Sequence, residues 1–111
     1  MDLFNQIEEL TEKLNVAIKS LAKKGQELAE AERDYKITLR QEALKLRAEK
    51  GMPVTLIQQV VYGVPEVAEK RFKRDVAETM YTTNQEYINT TKLQIRILES
   101  QLNREFGNVR G

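Results

Sequence analysis

Gly51-Met52-Pro53-Val54-Thr55-Leu56-Ile57-Gln58-Gln59-Val60-Val61-Tyr62-Gly63-Val64-Pro65 is the one stretch of this chain where helical periodicity stops, and it is also the most apolar window. Gly51 suits the left-handed position just past a helix end, and Pro53 forbids continuation. Thr55 and Gln58 match the capping box, in which the Thr hydroxyl accepts from the third amide and the Gln side chain reaches back. That predicts a short helix over 56–61. Gly63 can end it, and Pro65 suits the first position of the next helix, where a missing N–H costs nothing. The stretch reads as a hinge.

Upstream of it, Leu3, Ile7, Leu10, Leu14, Ile18, Leu21, Gly25, Leu28, Tyr35, Leu39, Ala43 and Leu46 recur about every 3.6 residues, a spacing longer than the 3.5 of a strict heptad. This predicts a helix over 3–49 with Asp2 as its N-cap, roughly 70 Å long at about 1.5 Å per residue. Downstream, Ala68, Phe72, Val76, Met80, Ile88, Ile95, Leu98, Leu102 and Phe106 predict a second helix over 65–106 that Gly107 stops, with a frayed tail beyond. The fold class expected is all-α: one helical domain over 1–111, a long antiparallel hairpin with a short capping helix in the connection. Two amphipathic rods leave part of each apolar stripe in water, widened by Leu93 and Ile97, so two hairpins are expected to pair into a four-helix bundle or a higher coiled-coil assembly.

Composition excludes more than it assigns. The chain of 111 residues has no Cys and no His, so disulfides, thiolate and imidazole catalysis and the usual zinc sites are absent. No Gly-rich phosphate loop occurs, and no cofactor or metal is expected. Carboxylates spaced by three, such as Glu9 with Glu12, Glu27 with Glu30 and Glu66 with Glu69, resemble part of the magnesium motif of all-α nucleotide pyrophosphohydrolases. That motif also needs a Glu-x-x-Asp, which is missing, so the expectation is a protein that is not an enzyme. No apolar run is long enough for a membrane span, and the acidic start lacks a signal-peptide n-region, which points to the cytoplasm of a host cell.

Three groups of residues are candidate contacts. Val54, Leu56, Ile57, Val60, Val61 and Tyr62 in the hinge either plug the open end of the helical pair or form an exposed patch for a protein partner. Around them the charge is uneven: residues 35–74 hold nine bases and four acids against a net charge of +1 for the whole chain. Lys45, Lys50, Lys70, Arg71, Lys73 and Arg74 could meet nucleic acid or a nucleotide, or be a solvated face of intrahelical ion pairs. The third group lies in Tyr81 to Thr91, a run of β-branched and amide residues with poor helix propensity. Pairing symmetric about the hinge sets residues 83–91 opposite residues 23–31. Lys24, Thr83, Asn84, Tyr87 and Thr91 then form a hydrogen-bonded layer that fixes register, or line a polar ligand site.

Leu46-Arg47-Ala48-Glu49-Lys50-Gly51-Met52-Pro53-Val54-Thr55-Leu56-Ile57, Phe72-Lys73-Arg74-Asp75-Val76-Ala77-Glu78 and Lys92-Leu93-Gln94-Ile95-Arg96-Ile97-Leu98-Glu99 resemble small helical phage and prophage proteins of Gram-positive bacteria, often encoded near replication and recombination genes. The resemblance covers about half the chain and brings no assigned activity or site. Taken with the uncovered apolar stripes, the expectation is a non-enzymatic, homo-oligomeric interaction protein of phage origin with a phage or host protein as partner. Two roles are expected: an accessory to phage DNA replication or recombination, or an anti-defence inhibitor that occludes a host protein or sequesters a nucleotide signal.

Overall fold

The computed structural model describes residues 2–110, and the side chains of residues 2–107. Among them every regular element is helical: α1 (Leu3–Lys50), α2 (Val54–Val60), a 3-10 turn (Val61–Gly63) and α3 (Pro65–Arg110). The fold is a helical hairpin. No helix among the described residues is long and apolar enough to cross a membrane.

Local chemistry sets most of the boundaries. The Asp2 carboxylate accepts from the amides of Phe4 (3.0 Å) and Asn5 (3.4 Å), capping α1. At its far end Gly51 adopts φ +60°, and its amide bonds to the Arg47 carbonyl at 3.1 Å, the left-handed cap that glycine accepts without a Cβ clash. Arg47 then donates from Nη1 to the Met52 carbonyl at 3.0 Å, tying down the first residue past the turn. Pro65 is the first residue of α3 and the Val64 carbonyl takes the amide of Ala68 at 2.9 Å, so the proline occupies a position that needs no donor.

Two boundaries differ by two residues or more from the sequence expectation. Helix α2 starts two residues early because Pro53, not Thr55, is the N-cap: its ring fixes φ at −62°, its ψ of 146° is extended, and its carbonyl accepts from both Leu56 and Ile57 at 3.0 Å. Thr55 therefore lies inside the first turn, and the capping box with Gln58 does not form. Helix α3 runs through Gly107 to Arg110, because Gly107 does not take the positive φ that would turn the chain out of the helix. Gly111 lies outside the described residues.

The spacing of the buried face also differs. On α3 the half-buried and buried positions are Val67, Lys70, Arg74, Ala77, Tyr81, Asn84, Ile88, Thr91, Ile95, Leu98 and Leu102, alternating steps of three and four. On α1 the matching line is Leu3, Ile7, Leu10, Leu14, Ala17, Leu21, Lys24, Leu28, Ala31, Tyr35, Thr38 and Glu42. This is the heptad spacing of a coiled-coil seam rather than the longer repeat expected. It selects Ala17 in place of Ile18 and Val67 in place of Ala68, and it leaves Phe72, Val76 and Met80 on the outside.

The chain divides into two compact units. One, Lys24–Tyr81, contains the connection. Its core is Tyr35, Ile57, Val61 and Val67, against which Leu39, Ala43, Leu46, Met52 and Val64 pack. Near the connection α1 thus has a second inward line (Leu39, Ala43, Leu46) that receives α2. In the same unit Tyr81 lies against Gly25: a Cβ on Gly25 would come within 3.2 Å of the Tyr81 ring. The other unit joins the segment up to Lys23 with the segment from Thr82 onward, and buries Ala17, Ile88 and Thr91.

Replacing Gly51 by alanine forces a Cβ into the left-handed region and should cost about 1–2 kcal/mol, whereas Gly107→Ala, in open helical surface, should gain about 0.5–1 kcal/mol. Urea denaturation midpoints of the two variants should therefore move in opposite directions.

Candidate interaction surface

The hinge residues divide into two sets. Ile57 and Val61, 7% and 4% exposed, are core residues packed with Tyr35 and Val67. Val54, Leu56, Val60 and Tyr62 stay exposed, at 38% or more. Helical geometry explains the split: Ile57 and Val61 are four apart and share the face turned to Tyr35 and Val67, while Leu56 and Val60, also four apart, lie one residue back on the solvent side. Tyr62 in the 3-10 turn is covered on one face by the guanidinium of Arg71, 5.6 Å from the ring centroid.

The six basic residues do not converge on a cationic site. Lys45 pairs with Glu42 (3.4 Å), Lys73 with Glu69 (3.9 Å) and Arg74 with Asp75 (2.9 Å). Arg74 also stacks over Tyr35 at 4.9 Å, and its pKa is raised further above its ordinary value, first by the hydrogen bond to Asp75, against a smaller opposing effect of burial. Lys70 and Lys73 line a 260 Å³ groove together with Glu27, Glu30, Ala31 and Asp34, so the groove carries both signs of charge. Lys50 and Lys70 alone among the six have neither an ion pair nor a ring contact among the described residues.

The polar mid-hairpin set is only partly brought together. Asn84 donates from Nδ2 to the Ala17 carbonyl at 3.0 Å, and the Ser20 hydroxyl lies within donor distance of both that carbonyl (2.9 Å) and Asn84 Oδ1 (3.3 Å). Thr91 is buried and returns its hydroxyl to the Tyr87 carbonyl one turn earlier, at 2.7 Å. Thr83 is exposed, and Lys24 belongs to the other unit. The pairing is not symmetric about the hinge: Asn84 meets Ala17 and Ser20, whereas symmetry would set it opposite residue 30. The reason is α2, which packs with the 3-10 turn on the last turns of α1 and displaces the start of α3 along it.

Sequence reasoning missed Ser20 and Ala17, because an isolated serine and an alanine carry no signal until their partner is known. Together with Glu9, Glu12, Lys13, Val16 and Tyr87 these residues line an open groove of 620 Å³. Its polar floor is closed on itself, and no buried side-chain nitrogen or oxygen among the described residues lacks a partner. No group of three or more metal-binding side chains occurs among them either. No protein-family model, curated protein or solved structure matches the chain.

The Asn84 side chain is thus a bridge between two helices. Asn84→Ala should lower stability by about 1 kcal/mol through loss of its hydrogen bonds to the Ala17 carbonyl and the Ser20 hydroxyl, while Thr83→Ala, at an exposed position, should stay within about 0.5 kcal/mol of the parent. Thermal melts followed by circular dichroism distinguish the two.

Proposed function

We propose that this chain is a non-enzymatic interaction protein: a helical hairpin that self-associates, two copies pairing into a four-helix bundle or a higher assembly, and that presents the outer side of its hinge to a protein partner. The observation that carries this reading is the distribution of apolar side chains. Sixteen large hydrophobic residues are exposed, among them Phe4, Ile37, Leu44, Phe72, Leu93 and Ile97, while six hydrophobic residues are buried among the described ones. A monomer in water gains nothing from that arrangement, and contiguous exposed apolar surface marks contact sites. At the hinge the exposed set is Val54, Leu56, Val60 and Tyr62, held on a core that does not depend on them.

The absence of His and Cys supports a binding role over a catalytic one. The pairing of Lys45, Lys73 and Arg74 supports a protein over a nucleic acid as partner. The likeness to small phage proteins supplies the setting, an accessory to phage DNA replication or recombination.

Light scattering at micromolar concentration should return at least twice the 12.9 kDa chain mass; a monomer mass overturns the self-association. In pull-downs from phage-infected cells the parent should retain a phage replication or recombination protein, and Leu56→Asp with Val60→Asp should lose it without loss of helicity. Capture of a host nuclease or signalling enzyme instead would replace the accessory role by inhibition of host defence. Single-stranded DNA should not retain the chain at about 0.15 M salt, since Lys45, Lys73 and Arg74 of the basic flank each have a carboxylate partner and the net charge is only +1.

A further inference from the structure

Within the Lys24–Tyr81 unit, α3 carries Phe72, Val76 and Met80 at successive spacings of four, with exposures of 63%, 45% and 52%. Their spacing differs from that of the seam on the same helix. Positions i, i+4 and i+8 form a continuous ridge inclined to the helix axis, the kind that packs into the grooves of a neighbouring helix. The seam residues of this segment, Val67, Lys70, Arg74 and Ala77, face elsewhere. The ridge has no partner within the unit.

From this ridge we infer that a second copy of the chain packs on it antiparallel, about a twofold axis through Val76. The inference rests on the self-association proposed above and assigns it a face and a direction. The pattern is self-complementary: large apolar groups stand four residues to either side of Val76, so a twofold there sets Phe72 against the partner copy's thioether at position 80 and Val76 against its own equivalent. The flanking charges agree with that direction. Antiparallel pairing about Val76 places Lys73 opposite Thr79 and Asp75 opposite Ala77, whereas parallel pairing would set Lys73 and Asp75 each against its own copy. Like charges held opposite one another are destabilising, so the antiparallel arrangement is favoured. Lys73 already has Glu69 as an intrahelical partner at 3.9 Å and can keep it beside the contact.

Because the natural chain has no cysteine, single engineered thiols report the contact without background. Under mild oxidation Val76→Cys should form a disulfide-linked dimer in high yield. Phe72→Cys and Met80→Cys should each cross-link poorly alone and efficiently when mixed. Efficient self-cross-linking of Phe72→Cys and of Met80→Cys, with none in the mixture, would overturn the antiparallel direction. Val76→Glu should raise the dimer dissociation constant at least tenfold with an unchanged helical spectrum. If the chain is dimeric by light scattering but Val76→Cys cross-links no faster than a thiol placed at exposed Glu86, this face is wrong and self-association stands. A parent chain that is monomeric removes both.

Discussion

Two long helices lying side by side can cover only one seam each, and that geometric constraint governs this molecule. The seam follows steps of three and four residues, and the side chains on it are small or polar as often as they are large: Ala17, Ala31, Ala77, Asn84 and Thr91 lie on it with Tyr35, Val67 and Ile88. Burial along such a line yields modest hydrophobic free energy per turn. Further large apolar residues, Ile37, Leu44, Phe72, Val76 and Leu93 among them, fall on other faces, so the hairpin is also apolar outside its own contact. A protein partner and a second copy of the chain are both ways of covering that surface.

The polar contacts act on register more than on total stability. A buried asparagine in a coiled-coil seam lowers stability relative to an apolar residue but selects one alignment, since any slip strands its amide. Asn84, half-buried on the seam, makes contacts of this kind with the Ala17 carbonyl and the Ser20 hydroxyl. Gly25 and Tyr81 set a second alignment point in the other unit, where the ring fills the space that a Cβ would take. These contacts hold a segment of low intrinsic propensity in regular helix from Tyr81 to Thr91.

Helix existence, the Asp2 cap, the Gly51 turn and the Pro65 start were all legible in the sequence because each is a local steric or hydrogen-bonding fact. The seam was not. Large apolar residues such as Ile18, Phe72 and Val76 dominate any reading of periodicity, and nothing local shows that Ala17 and Val67 are inward instead. The capping box at Thr55 failed for a related reason: the motif is sound in isolation, but Pro53 offered an earlier start. In the hinge, composition identified an apolar window and could not divide it, because Ile57 and Leu56 differ only in which way one turn of helix points them. The ion pairs of the basic flank were legible, because Glu42, Glu69 and Asp75 are interleaved with its bases at short spacings along the helices, and they pair with Lys45, Lys73 and Arg74.

The position of Val67 bears on how the chain folds. It is the one large side chain with no exposure among the described residues, and it stands in the first turn of α3, immediately after the connection, against Tyr35, Ile57 and Val61. The entropy of loop closure grows with the logarithm of loop length, so contacts spanning the short connection are the least costly long-range contacts available. The tightest packing therefore coincides with the smallest loop. Pairing farther from the turn closes longer loops, up to the 67 residues that separate Ala17 from Asn84, so the loop-entropy cost is lowest where the core is tightest.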